Sequence, residues 1–453
     1  MKHVSTLSRS VSAYLAVITL VITSLLSSCS GDNADVSELL ATVPADATSV
    51  IAINVKSLVE KSGSKIDGSK IVPGDEVRKL LSTNITNAEN KKIIRSILNG
   101  ESGIDPTVAV IFLEGTDLYI TGFLAEPDKF KTFMAKESGG EFSDSNGIST
   151  MDNVAFKGNQ FWISNSRTRN SIDPEQITRF LALDDKLSFL SNSYSPKLSS
   201  FSNDIDGWAN LSSLYNASDM SFQQKAMAGL ALAGLFSDAQ DIAFHANFEK
   251  GKLTTGLSVL NSKGVAAQFN LPTDRIDVGM IKELSTSGDI LVATAISPKL
   301  VEQLRKDFGD KNIPGLGMIM PALSAIDGTC VIEGGENGFK GAFSTKGDAT
   351  AALSDLISEF TGATVNKDGK ILRFQKGLVD GKIKNEEVAD LFKGAMIAAV
   401  ISDNMSRKNS LDTFPFKDMF MALIPAENSM QLEVTVNSGY PKENYLLTFI
   451  KAQ

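Results

Sequence analysis

Short apolar runs followed by helix-period segments recur along the chain. Each unit has a run of strand character, a polar break, and then apolar residues three or four positions apart, as on one face of a helix. The clearest copies lie at residues 46–62, 116–137 and 288–308, and weaker copies lie at residues 205–219 and 338–360. This alternation predicts an α+β fold, with antiparallel or mixed sheets that carry helices packed on one face.

The predicted helices have recognisable boundaries. Ser297 is suited to an N-cap, Pro298 to the first helical position, and Gly309 to the end of the same helix. Pro127 and Pro174 indicate two further helix starts. These signals place helices directly after three of the apolar runs.

Turn residues between alternating segments predict hairpins. The dipeptides Asp-Gly at residues 368–369 and Lys-Gly at residues 250–251 each separate two strand-like segments. Near the C-terminus, residues 430–436 alternate apolar and polar side chains, which predicts a strand with one wet face. We expect this strand to pair with residues 445–450.

Two of the strand–helix units, residues 50–60 and 292–302, resemble each other most. Both read as an apolar strand followed by a Leu-Val-Glu helix segment, with a slip of one residue between them. The similarity predicts two related lobes, at residues 46–272 and 288–453. The alternative is a chance similarity between two units of ordinary composition.

The first 28 residues have the character of a signal peptide. Lys2 and Arg9 are the strong charges in this segment, and both are positive. A mostly apolar run follows at residues 13–26, and its 14 residues fall short of the about 20 that a transmembrane helix needs. We therefore predict that residues 1–28 are removed by processing.

The apolar run ends in Leu26-Ser27-Ser28-Cys29, which resembles the lipobox of bacterial lipoprotein signal peptides. The resemblance implies that the signal peptidase recognises Leu26, Ser27 and Ser28 and cuts before Cys29, and that Cys29 receives acyl chains. Two or more such chains anchor a protein stably in a membrane. The residue after Cys29 is Ser30, and not the aspartate that resembles an inner-membrane retention signal. We therefore expect an outer-membrane location, on the periplasmic face or at the cell surface. The alternative is an uncleaved membrane anchor with a chance cysteine.

Charge narrows the range of partners. The chain has 44 lysines and arginines against 53 aspartates and glutamates, a net charge of −9, which argues against a nucleic-acid partner. Because the predicted signal peptide has two positive charges and no acid, the mature net charge becomes −11. Residues 29–45 would form a flexible, lipidated tether between the membrane and the first lobe.

Little in the sequence points to catalysis. Two cysteines and two histidines exclude a disulfide scaffold and a multi-histidine metal site. With Cys29 lipidated, only Cys330 remains, and its apolar surroundings predict a buried thiol. His245 lies in a strand-like segment with no nucleophile motif nearby, and we expect a structural role for it. We predict no cofactor and no metal, and we take Trp162 and Trp208 as possible ligand-contact aromatics.

Three segments resemble an uncharacterised lipoprotein family of Bacteroidota, a domain of unknown function. They are LSSC at residues 26–29, VPADATSVIAINVKSLVEKSG at residues 43–63, and NSMQLEVTVN at residues 428–437. The resemblance implies no activity and no catalytic residues.

Our first hypothesis is an outer-membrane lipoprotein that acts as a non-enzymatic binding or scaffold module, with an envelope protein or a glycan as its partner. The alternatives are an envelope enzyme with dispersed Asp, Glu, Ser or Lys residues and a carbohydrate-binding surface lipoprotein. A deep polar pocket would favour the enzyme, an exposed apolar patch would favour the binding module, and an exposed tryptophan would favour carbohydrate binding.

Overall fold

The architecture is α+β, as predicted, in a computed structural model of the chain. The structure describes residues 36–84, 88–166, 171–217, 221, 225, 229, 232–284, 287–308, 323–346, 350–384, 388–404, 416–427 and 429–452. Within these ranges, 18 strands join in one sheet, and neighbouring strands are antiparallel throughout.

The first half of the chain contributes ten strands to this sheet. Its strands are β1 Ser49–Ile53, β2 Lys65–Asp67, β3 Lys70–Val72, β4 Ile104–Glu114, β5 Asp117–Leu124, β6 Ser143–Ser145, β7 Ile148–Met151, β8 Val154–Lys157, β9 Gln160–Asn165, β10 Ile205–Asn210, β11 Asp241–Glu249 and β12 Lys252–Leu260. Their spatial order is β6-β7-β8-β9-β5-β4-β1-β10-β11-β12. Strands β2 and β3 form a separate hairpin.

The second half continues the same sheet from β12. Its strands are β13 Ser287–Gly288, β14 Ile290–Ile296, β15 Ile326–Gly335, β16 Gly338–Thr345, β17 Thr364–Asp368, β18 Ile371–Gly377, β19 Ile383–Lys384, β20 Ile397–Ser402, β21 Asp418–Ala426 and β22 Ser429–Asn437. Strand β22 pairs with β12, and the order continues β22-β21-β20-β14-β15-β16-β18-β17. Strands β13 and β19 pair outside the sheet.

Strand order repeats on the two sides of the β12–β22 pair. Reading outward, the first half runs β12, β11, β10, β1, β4, β5, and the second runs β22, β21, β20, β14, β15, β16. Strands β1 and β14, which contain the two most similar sequence units, both stand fourth from the junction. The two halves therefore share one continuous sheet.

Twelve α-helices have both ends within the described ranges. They are α1 Val36–Leu40, α2 Val55–Lys61, α3 Asp75–Asn84, α4 Ala88–Leu98, α5 Pro127–Ser138, α6 Pro174–Leu181, α7 Ser195–Ser199, α8 Leu211–Ala217, α9 Val278–Lys282, α10 Pro298–Phe308, α11 Thr350–Thr361 and α12 Tyr445–Ala452. Short 3₁₀ turns lie at Phe189–Ser191 and Ala389–Phe392. Of the helices in the described ranges, none combines the length and the apolar character that crossing a bilayer requires.

Helices cover both faces of the sheet, so the prediction of helices on one face is wrong. Val50 and Ala52 point to the side that packs against α1, α6 and α7, which we name the α1 face. Ile51 and Ile53 point to the opposite side, the α12 face, where α2, α3 and α12 pack. Because β1 is apolar on both sides, it has no polar face to leave in water.

The chain is already part of the fold at residue 36, so the predicted tether at residues 29–45 is too long. Val36, Leu39 and Leu40 of α1 are buried in the largest core of the first half. Further along, the amide of Ala45 donates to the carbonyl of Leu187 at 2.8 Å. Apolar residues in the second part of the proposed tether pack into the core. Residues 29–35 lie outside the described ranges, and a tether there stays a prediction.

Local signals located most elements correctly. The helix at Pro298–Phe308 starts where predicted, with the amide of Leu300 donating to Ser297 Oγ at 3.2 Å. The hairpins at residues 250–251 and 368–369 are confirmed. The predicted hairpin partner at residues 445–450 is wrong, because this segment is helical, with the Leu446 amide capped by Asn444 Oδ1 at 3.0 Å.

Candidate functional site

The lipobox residues Leu26, Ser27, Ser28 and Cys29 lie outside the described residues. Their roles in peptidase recognition and lipid attachment stay predictions.

The two tryptophans are not an exposed ligand platform, and that prediction is corrected. Trp162 on β9 is 0% exposed and Trp208 on β10 is 3% exposed. Both belong to the core on the α1 face, where Trp208 meets Phe189 edge-to-face at 5.1 Å between ring centroids. Each indole points into this core and fills its volume instead of meeting solvent.

Cys330 has the character that its sequence context predicts. It lies on β15 and is buried in an apolar cluster with Phe343 and Leu372. Burial raises the pKa of the Cys330 thiol. A thiol held in its protonated form is a poor nucleophile.

Two buried carboxyl groups lie close together in the sequence at the start of β10. The carboxylate of Asp204 accepts hydrogen bonds from Ser57 Oγ at 2.5 Å, from Lys61 Nζ at 2.6 and 2.7 Å, and from the Phe248 amide at 2.6 Å. These donors tie α2 and β11 to the start of β10. These hydrogen bonds to both carboxylate oxygens account for the burial of Asp204 without any catalytic role.

Asp206 is less completely satisfied. Its Oδ1 accepts a hydrogen bond from Asn203 Nδ2 at 2.6 Å, whereas its buried Oδ2 has no hydrogen-bond partner. His245 lies directly opposite on β11, and burial raises the pKa of Asp206 although Asn203, His245 and Lys197 act in the opposite direction. Burial, and then the charge of Asp206, also raises the pKa of Tyr194 to about 12.

This Asp206–His245 pair is the nearest approach to an acid–base site in the described residues, but its geometry does not suit catalysis. The residue Asp206 is only 2% exposed, so a substrate does not reach its carboxyl group. The ring of His245 lies over Gly256 of β12, where a Cβ atom would come within 2.3 Å of His245 Cε1. In the part of the chain that the structure describes, no three potential metal ligands lie together.

A wide apolar surface occupies the α12 face of the central strands, and we name it the apolar floor. It consists of two cross-strand rows, Phe244, Leu257, Leu432, Leu423, Ile397 and Thr294 in one, and Ala246, Thr255, Val434, Met421, Ala399, Val292 and Ile332 in the other. All thirteen side chains are at least partly exposed, and none carries a charge. The hydroxyls of two threonines are its only polar side-chain groups.

The most exposed residues of the apolar floor are Leu257 at 37%, Ile397 at 38% and Ile332 at 42%. They lie on β12, β20 and β15. From β12 to β15 the sheet advances by five strand intervals, which is about 24 Å at about 4.8 Å per interval. Helix α12 borders the floor where Leu446 packs with Phe248, and α10 borders it where Leu300 packs near Leu423.

A second candidate site is a cleft of about 330 Å³ between α3 and α4. Arg78, Lys91 and Arg95 line it together with Ser82 and Asn99, over an apolar base of Pro73, Leu81, Ile94 and Leu98. The nine lining residues include no acid. We name this feature the basic cleft.

Sequence reasoning missed both surfaces. The alternating apolar positions of the floor were visible, as at residues 430–436, but alternation alone predicts a face that is covered. The basic cleft had a weaker signal: residues 64–99 contain seven lysines and arginines against four acids, a net charge of +3 in an acidic chain. A charge count over this window would have pointed to it.

Comparisons with known proteins identify no family. No family model matches the chain, and no curated protein matches it. Two solved structures, crystal forms I and III of the protein TP0453, resemble it at 11% identity, cover 80% and 78% of this chain and 97% and 96% of their own, and give TM-scores of 0.29 and 0.28. Likeness at that level carries no argument about fold or function.

Proposed function

We propose that this chain is a lipoprotein held on the outer membrane by Cys29, and that its body is a non-enzymatic binding module for another envelope protein. The apolar floor is the observation that carries the proposal. Soluble monomers rarely leave a contiguous apolar surface of this extent in water unless it binds something.

The floor can only recognise an apolar surface. Its central strands are paired on both sides, so no strand edge is open to an added strand. Its side chains offer two hydroxyls and no charge to a ligand. A glycan, which needs several hydrogen bonds, does not fit these groups.

Helices already border the floor, and this favours a helical partner. Helices α12 and α10 stand above the sheet by about 10 Å, the usual spacing of packed elements, and they would keep a second flat sheet from reaching the floor. A gap of about 24 Å between exposed residues has room for about two helices of 10–12 Å diameter. We therefore propose that an amphipathic helix of a partner lays its apolar stripe on the floor.

Site-specific photocrosslinking in intact cells tests this proposal. A photoreactive residue at Ile397 should capture one envelope protein, and the crosslinked peptide should show apolar residues at helical spacing. The matched control is the same photoreactive residue in place of Glu433. This position lies on β22 and faces the side of the sheet opposite the floor, so it should not capture that protein. Capture only of lipid at Ile397, or equal capture at both positions, would contradict a helical protein partner.

Interface variants complete this test. Replacing Leu257 and Ile397 by Asp puts two charges on the floor at positions that are already exposed, so the fold should persist. The photoreactive residue is then placed at Val434, another floor position, and its capture of the partner should be lost. Unchanged capture in this folded variant would refute the assignment.

The anchor has a separate test. Cys29→Ala should block lipid attachment and maturation, so the chain should keep its leader and lose its acyl label. Ser30→Ala, next to it, should mature normally. A Cys29→Ala chain that runs at the mature size and carries the label would show that the anchor is wrong.

The two-lobe organisation is part of the same proposal. The repeated strand order, and the helices that follow β1, β5, β14 and β16 onto the α12 face, support two related units at residues 46–272 and 288–453. A strand-for-strand superposition of the two halves tests it, and matching strands that run in opposite directions would contradict it.

A further inference from the structure

The basic cleft between α3 and α4 has no role in the binding function proposed above. It belongs to residues 64–102, which form the β2–β3 hairpin, α3 and α4 between β1 and β4. Its charge is opposite in sign to that of the chain, at +3 for residues 64–99 against −9 for the whole. A local reversal of this kind calls for a partner of negative charge.

The cations of the cleft are available to such a partner. Arg78, Lys91 and Arg95 are partly or fully exposed, and no ion pair joins any of them to a described acid. Arg78 Nε donates to the carbonyl of Pro73 at 2.8 Å, and Lys91 Nζ donates to the carbonyl of Ser82 at 3.1 Å. These bonds position the side chains, and no acid whose side chain is described neutralises their positive charges.

The base of the cleft adds a second requirement. Ile94 and Leu98 of α4 are buried side chains whose edges face the cleft, and Leu81 of α3 is half-buried beside them. A small inorganic anion would leave this apolar base unused. An anionic headgroup followed by a hydrocarbon chain satisfies both parts.

We propose that the basic cleft binds the anionic headgroup of a membrane lipid and turns this side of the protein toward the bilayer. The proposal rests on the proposed anchor at Cys29. Six residues lie between Cys29 and Val36, the start of α1, so the seven Cα-to-Cα steps of the tether span at most about 25 Å and keep the body close to the headgroups. An acidic body held at that distance is repelled by anionic lipid unless a basic surface faces it.

Quenching in vesicles tests the orientation. The lipidated full chain carries a fluorophore at Thr83→Cys, an exposed position on α3 beside the cleft that is not one of its lining residues. Cys330 is buried and should not react. The vesicles contain phosphatidylglycerol or phosphatidylcholine, with a quencher on a headgroup. We expect strong quenching in phosphatidylglycerol that weakens with added salt, and little in phosphatidylcholine. A label at Asn366→Cys, an exposed position on β17 at the end of the sheet that is far from both the cleft and α1, should be quenched in neither.

Charge variants identify the residues responsible. Each lysine or arginine near an anionic surface contributes about fivefold to association, so Arg78→Glu, Lys91→Glu and Arg95→Glu together should weaken it about 100-fold or more. Lys346→Glu, Lys370→Glu and Lys393→Glu, three exposed positions in the second half, are the charge-matched control and should leave quenching at residue 83 unchanged. If the triple reversal unfolds, Lys91→Gln with Arg95→Gln serves instead.

Two failures are distinguishable. A chain that does not float with vesicles overturns the anchor, and with it this orientation. A chain that floats, but is quenched equally in both lipids or is unaffected by the cleft variants, overturns the cleft assignment and leaves the anchor intact.

Discussion

A buried ion pair in the second half makes a quantitative prediction about stability. Glu333 on β15 and Lys340 on β16 face each other across the sheet, with 3.3 Å between Lys340 Nζ and Glu333 Oε2. They are 0% and 8% exposed. Lys340 Nζ also donates to the carbonyl of Leu284 at 2.5 Å. At 3.3 Å and an effective dielectric constant of about 20, the attraction is about 5 kcal/mol.

Removal of one partner should cost much more than removal of both. Lys340→Met removes the ammonium group at 3.3 Å from the buried Glu333 carboxylate, and we expect the free energy of unfolding to fall by about 3–5 kcal/mol. In the double variant Glu333→Leu with Lys340→Met, apolar side chains of similar size replace the carboxylate and the ammonium group. They lie next to Leu291, which is opposite Glu333 on β14. Because the desolvation of two charges is then avoided, the double variant should lie within about 1–2 kcal/mol of the unsubstituted chain.

Urea unfolding followed by circular dichroism measures both values, with Lys252→Met, an exposed position, as the control. The control should change the free energy of unfolding by less than about 0.5 kcal/mol. The reasoning fails if Lys340→Met costs under about 1 kcal/mol, or if the double variant is as unstable as the single one.

Three further predictions concern individual side chains. Burial raises the pKa of Asp206, so the free energy of unfolding falls as the pH rises from the ordinary aspartate value through the raised one. Asp206→Asn lacks this loss, so its stability relative to the unsubstituted chain should increase as the pH rises above about 4, which thermal melts would show. The Cys330 thiol, buried with a raised pKa, should resist a maleimide in the native chain and react after denaturation, as intact-mass analysis would show. Gly256→Ala would place a methyl group 2.3 Å from His245 Cε1 and should cost about 1–3 kcal/mol, with much of the loss recovered when His245 is also replaced by Ala.

Elements set by local signals were predictable from the sequence. Ser297 and Pro298 define the start of α10, because capping and the fixed φ of proline act within one turn. Residues 445–450 show the limit of such reasoning. Their apolar run fits a strand or a buried helix, and the helix wins because Leu446 and Ile450, four apart, both pack against the α12 face.

Properties that depend on distant parts of the chain were not predictable. Nothing in β12 or β22 alone specifies that Leu257 should lie beside Leu432, since many apolar strands could pair equally well. For the same reason the sequence did not show which alternating faces would stay uncovered. The candidate sites are products of strand order and helix placement, and the residues in them have no distinctive local motif.

The pairing of β12 with β22 also constrains how the chain can fold. Every strand of the first half is present long before residues 429–437 are available, yet β12 has no neighbour on one side until β22 arrives. Contacts between segments so far apart form slowly, and an unpaired apolar edge promotes aggregation in the meantime. A chain truncated at its C-terminus would therefore keep an unpaired, aggregation-prone edge at β12, in the middle of the sheet. Whether the molecule stays soluble during folding thus depends on the last strands being completed.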